Sequence, residues 1–278
     1  MASRNGLNPK IRGPKGVGFG RALPSAFGFG NGIQPPGNGY LNISTLIGTA
    51  IPPKWTIEFW ILPQAQMSYF EGWVQYYDGY PTGSGEGNGE ELRLQGQPPG
   101  NAWFQFLGAT AGIEFGINTP QQPIVGERNH VVFTMDTVSL LMTCVLNGNT
   151  SVKAITQIEL IKNPYLGVYQ LFNLFFLSTQ GVYASILTDE YRMYNEALTD
   201  NDIVSNYNNG VGNNPAKTES LFVWYTFEKF EMLDFSKIQD GSDIRMGMRD
   251  QSGKNNHSEP VNLDTNPASS SYVIKSFQ

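Results

Sequence analysis

The side chains best suited to holding a ligand are Trp73, Tyr76, Tyr77 and Tyr80, with Asp78 among them, in the run Trp73-Val-Gln-Tyr-Tyr-Asp-Gly-Tyr80. Sugars bind on exposed aromatic faces, because their C–H faces stack there while their hydroxyls need nearby donors and acceptors. The competing reading packs Trp73 and Tyr76 inward and leaves Tyr77 and Tyr80 to line a hairpin. Glycoside hydrolysis needs two carboxyl groups roughly 5–9 Å apart. Glu58 stands alone in its segment, and Glu90 and Glu91 are consecutive, so on a strand they face opposite ways. No catalytic residue is assigned, and the expectation is that the chain is not an enzyme.

Other reactive residue types give less. His130 opens an apolar run and reads as structural, and His257 sits in a Ser-Gly-Lys-Asn-Asn-His turn where it pairs with backbone. Cys144 is the sole cysteine, so no disulfide forms within the chain, and its alternating surroundings suit buried packing. The Gly-rich run from Gly83 to Gly89 is acidic and lacks the following helix or Lys of a phosphate loop. Calcium favours hard oxygen ligands. Asp78, Glu86, Asn88 and Glu90 cluster in one loop and Asp240, Asp243 and Asp250 in another, neither with EF-hand spacing. Solvated loop charge is the default reading, so no cofactor is expected and the metal content stays open, with calcium as the alternative.

The net charge of −6 conceals an asymmetry. Arg4, Lys10, Arg12, Lys15 and Arg21 put +5 into the first thirty residues, which hold no acid; the remaining 24 acids and 13 bases sum to −11. An acidic body disfavours nucleic acid as the main ligand. No run of about 18 apolar residues is present, so no membrane partner is expected, and the opening twenty residues lack a signal-peptide pattern. Residues 1–21 are rich in Gly and Pro without apolar period and read as an extended basic arm.

These groups need elements to position them. With 31 Gly, 17 Pro and 13% aromatic residues, the chain suits short strands with frequent turns. Trp55, Ile57, Phe59 and Ile61 alternate with Thr56 and Glu58, which predicts a strand with one buried face; Trp60 breaks the alternation and covers the other face. Short strands are also expected at 90–95, 103–107 and 113–117, and an apolar run at 171–177 reads as a fully buried one. Asn147-Gly148 predicts a two-residue hairpin between strands at 140–146 and 151–155. Thr199 and Asp202 form a capping pair for a short helix that runs to Asn208.

The strand Asp189-Glu-Tyr-Arg-Met-Tyr-Asn-Glu-Ala-Leu198 leading into one capped helix resembles the last core strand of the laminin-G-like, concanavalin A-like lectin jelly roll. Ala22 to Ile43 resembles its opening strand pair, Trp55-Thr-Ile-Glu-Phe-Trp-Ile61 its signature strand, and residues 128–149 its central hairpin. Leu221-Phe-Val-Trp-Tyr-Thr-Phe-Glu228 followed by Arg249-Asp-Gln-Ser-Gly-Lys-Asn-Asn-His257 resembles the opening of such a module, here placed after the body. The resemblance implies an all-β, two-sheet antiparallel jelly-roll sandwich with one short helix and the N-terminal arm. Residues 22–278 form the domain, with 210–278 completing the sandwich. It also implies a binding scaffold more often than an enzyme; glucanases of this fold carry Glu-x-Asp-x-x-Glu on one strand, a pattern absent here.

Two functional classes follow. The first is a structural or decoration protein of a virus particle, of bacteriophage type, made in the host cytoplasm and located in the virion. Its arm residues Arg4, Lys10, Arg12, Lys15 and Arg21 would attach it to shell or other virion subunits, and host glycans would be a further partner. The second is a carbohydrate-binding lectin or receptor-binding module without a shell role, resting on Trp73, Tyr76, Tyr77, Asp78 and Tyr80.

Overall fold

The computed structural model describes residues 28–34, 39–46, 49–50, 52–65, 119–155, 174, 186–236, 243–269 and 273–277 in full. Residues 90–97, 101–108, 113–118 and 173 are described through the backbone, Ile117 also through its side chain. The described residues are antiparallel β with one short α-helix, as the strand spacing predicts.

The largest sheet is built around β3 (Lys54–Pro63), which pairs on one side with β7 (Asn129–Asp136) and on the other with β11 (Ile186–Tyr194). Beyond β7 lie β8 (Leu141–Leu146) and β9 (Asn149–Ala154). Beyond β11 lie β1 (Asn31–Ile33), then β16 (Ile274–Ser276). The C-terminal half of β11 pairs instead with β12 (Leu221–Tyr225). A smaller sheet has the order β10 (Asn173–Leu174), β2 (Tyr40–Asn42), β15 (Glu259–Val261). β4 (Glu90–Gln97), β5 (Asn101–Gly108) and β6 (Ile113–Asn118) form a meander, and β13 (Phe230–Asp234) pairs with β14 (Ile244–Met248).

One expectation is corrected. The opening strands β1 and β2 do not pair with each other: β1 joins the large sheet and β2 the small one. Each is three residues long, too short to favour one partner by local pairing, so longer-range neighbours decide. The tail supplies strands to both sheets, with β12 and β16 in the large sheet and β15 in the small one. Of the apolar run 171–177, β10 is described; Leu174 is fully buried against Leu41 of β2.

The alternating residues of β3 behave as their period demands. Trp55, Ile57, Phe59 and Ile61 enter the main core with Phe133 and Met135 of β7, Met142 and Cys144 of β8, and Tyr191 and Met193 of β11. The intervening residues are buried too, because the outer face is covered. One apolar cluster there holds Val132, Tyr194, Leu198, Ile203 and Trp224. Another holds Trp60, Leu62, Leu187 and Phe277, with Phe29 and Tyr207 packed on it. The cover includes α1 (Asp200–Tyr207), whose Thr199 cap and Asp202 satisfy each other's backbone donors as a complete capping box. Asn208 ends it in the left-handed region, at φ 44°.

Candidate functional site

The outer face of the large sheet is polar at its centre. Glu58 is fully buried there. Its Oε1 accepts from His130 Nε2 at 2.7 Å and from Arg192 at 3.4 Å; its Oε2 accepts from the Tyr194 hydroxyl at 2.8 Å and from Asn206 Nδ2 at 2.7 Å. Burial alone would raise this carboxyl. The Arg192 charge and the His130 and Tyr194 hydrogen bonds outweigh it and hold the pKa at about 2. An ionised carboxylate only accepts, so the proton of the 2.7 Å contact sits on His130 Nε2. Arg192 also donates to Glu190 Oε2 at 2.9 Å and to the Asn213 carbonyl at 2.6 Å, and the Trp224 indole donates to Glu190 at 2.7 Å.

Strand period explains the assembly. Glu58 lies on the outward set of β3, His130 on that of β7, and Arg192 and Tyr194 on that of β11; Asn206 arrives from α1. Glu58 is sealed from solvent and ion-paired, so it cannot exchange a proton with a substrate. The network locks the helix and the segment that follows it onto the sheet.

At the edge of this network the surface opens into a groove of about 620 Å³. Tyr207, the last residue of α1, lies in it. Its ring stacks on His130, at 5.5 Å between centroids, and on Trp60, at 6.0 Å. Gln121, Glu127, Arg128, Asn147 and Asn149 surround it, and Leu62 and Ile124 add apolar surface. The Asn147-Gly148 hairpin forms as predicted, with both residues at positive φ, 52° and 78°. Asn147 Oδ1 accepts from His130 N at 2.8 Å, and its amide donates to Asn129 Oδ1 at 2.9 Å. Asn129 donates to the carbonyls of Ile124 and Glu127, fixing the loop that presents Gln121, Glu127 and Arg128. Asn149 donates to Gln121 Oε1 at 3.2 Å, and the Arg128 guanidinium lies 4.3 Å over the Phe29 ring. The groove thus offers a held aromatic ring ringed by exposed amides and one charge of each sign.

Trp73, Tyr76, Tyr77, Asp78 and Tyr80 lie outside the described residues, as do the arm residues Arg4, Lys10, Arg12, Lys15 and Arg21. Of the loop residues weighed for calcium, Asp78, Glu86, Asn88 and Asp240 also lie outside them, and Glu90 is described through its backbone. Asp243 pairs with Arg245 at 2.8 Å. The Asp250 carboxylate accepts from the N–H groups of Trp224, Ser252 and Asn256 and from the Ser252 hydroxyl, so it serves as the staple of its turn. His257 accepts from Asp250 N at 3.0 Å, matching the backbone role read for it. Cys144 is buried in the core, and burial pushes its thiol pKa up. The sequence reading did not find the Glu58 network or the groove. A signal existed: Arg192 and Tyr194 share one strand face, as do Glu58 and Trp60.

Residues 35–204 match the laminin-G-like family model of the concanavalin A-like lectin/glucanases superfamily, and the chain belongs to that family. Among solved structures, it is similar to a Bacteroides ovatus protein described as carbohydrate binding, with TM-score 0.58 and 14% identity. The match covers 90% of this chain, which spans 60% of that protein's length. It is also similar to the CBM40 of a Ruminococcus gnavus sialidase bound to α2,3-sialyllactose (TM-score 0.47, 14% identity, 62% of this chain and 94% of that one). A third is tailspike protein 2 of bacteriophage CBA120 (TM-score 0.46, 15% identity, 64% and 27%). No curated protein matches the chain by sequence.

Proposed function

We propose that this chain is a non-catalytic carbohydrate-binding module whose ligand surface includes the Tyr207 groove. The observation that carries the reading is the Tyr207 ring, stacked on His130 and Trp60 and surrounded by Gln121, Asn149, Glu127 and Arg128. A rigid aromatic face with amides and charges at its rim is the chemistry that recognises a sugar ring. The fold shared with the Bacteroides ovatus protein supports it. Trp73, Tyr76, Tyr77, Tyr80 and Asp78 are proposed as further sugar contacts, on their composition. A glycan array tests this: the protein retains a defined set of glycans, and Tyr207→Ala with Gln121→Ala loses most of that signal while staying folded. Retention of no glycan, or undiminished binding by the double variant, contradicts it. The locked state of Glu58 supports the absence of catalysis; turnover of β-glucans by the pure protein, lost in Glu58→Gln, would count against it.

A second reading rests on residues 1–21. Their +5 charge against a body of −11 suits an arm that docks on an acidic partner. In this reading the module is a decoration protein of a bacteriophage virion, held through Arg4, Lys10, Arg12, Lys15 and Arg21. Deleting residues 2–20 is expected to leave a folded protein that no longer joins its particle. Full occupancy without the arm would end the reading.

A further inference from the structure

Arg128 carries an exposed guanidinium that is held in place without an anion. The guanidinium carbon stands 4.3 Å over the Phe29 ring, a contact that fixes the charge and needs no carboxylate. Among the described residues no carboxylate pairs with it, and Glu127, its neighbour in the chain, forms no ion pair with it. Phe29 in turn meets Trp60 edge-on at 4.8 Å and Phe277 at 5.6 Å.

Trp60 links this charge to the stacking surface. It is fully buried and also carries Tyr207, stacked at 6.0 Å. The aromatic ring and the guanidinium of the groove therefore rest on one buried indole, and both face the same opening. A ligand ring stacked on Tyr207 has a preplaced cation beside it.

Resting on the reading of this groove as a sugar site, we propose that its ligands are carboxylated sugars, uronic- or sialic-acid units, with Arg128 as the residue that selects them. The guanidinium fork matches a planar carboxylate through two parallel N–H···O bonds. A neutral sugar on Tyr207 would leave that charge hydrated and gain nothing from it. Glu127 is exposed in the same groove, where it accepts from sugar hydroxyls and repels a second anionic group. The residues after the first thirty sum to −11, which adds to that repulsion. Sugars with a single carboxylate are thus favoured over densely sulfated chains.

The test uses the full chain and a panel of uronate- and sialate-terminated oligosaccharides, each titrated beside its carboxyl-reduced neutral counterpart and a sulfated one. The carboxylated member is expected to bind about tenfold tighter or more than the neutral one. Arg128→Gln, at an exposed position, should remove that advantage and leave neutral binding unchanged. Arg128→Lys keeps the charge without the fork and should restore only part of it. Tyr207→Ala should weaken both members alike. Equal affinities within every pair, an advantage that survives Arg128→Gln, or tightest binding of the sulfated member overturns the proposal while the groove remains a sugar site. Binding of no member of any set fails the groove reading itself, and the proposal falls with it.

Discussion

Glu58 concentrates the residue-scale energetics. Its pKa lies at about 2, against an ordinary value of 4.5. A carboxyl with a lowered folded pKa contributes stability that is complete above the unfolded value and is lost as pH falls through the folded one. The difference corresponds to about 3 kcal/mol, lost between roughly pH 4.5 and pH 2. Asp189 and Glu190 act with opposite sign, because burial raises both; protonating them relieves the native state as pH falls through their raised values. Denaturation midpoints measured across this range should therefore drop below about pH 4.5. A flat profile below that point contradicts the assignment. Glu58→Gln leaves Arg192 and His130 without their shared anion and should cost about 3 kcal/mol, as breaking a buried pair from one side does. It should also shrink the acid drop, leaving the part that Asp136, held low by Lys54 and the N–H groups of Ser139 and Val138, supplies. The sequence shows only the shared strand faces of this partnership: Glu58 reads as a lone acid because its partners lie 72 to 148 residues away.

At the scale of elements, legibility followed locality. The Thr199–Asp202 cap, the Asn147-Gly148 hairpin and the alternation of β3 each depend on a few neighbouring residues, and all three were readable. The separation of β1 from β2 and the bulge at Asp189 depend on partners elsewhere in the chain, and were not. Two variants probe the readable elements. Thr199→Ala should destabilise the protein by about 1 kcal/mol, read as a lower denaturant midpoint at unchanged slope. A null effect would mean that the box is not holding α1. Gly148→Ala meets two obstacles: φ is +78°, and the new Cβ would stand 3.3 Å from the Tyr207 ring. It should cost about 1 kcal/mol and weaken glycan retention by displacing that ring. Unchanged binding would detach the groove from the hairpin.

At the scale of the whole molecule, a resemblance read from Asp189-Glu-Tyr-Arg-Met-Tyr and a few other strands led to the right family, because the motif is the packing code of a strand buried on both faces. The ligand surface did not follow from it. Tyr207 reads only as a helical apolar position, and the loop holding Gln121 and Arg128 has no period at all; their convergence depends on Asn129 and Asn147 bridging two connections. The central claim, that this groove binds sugar, is tested most directly by an amide-resolved NMR titration of the full chain with the glycan selected on the array. Binding at the groove predicts saturable shifts at the side-chain amides of Gln121 and Asn149, at the backbone of 207–210 and at the Trp60 indole. Saturable shifts that bypass all of these, or none at any ligand concentration, would contradict it.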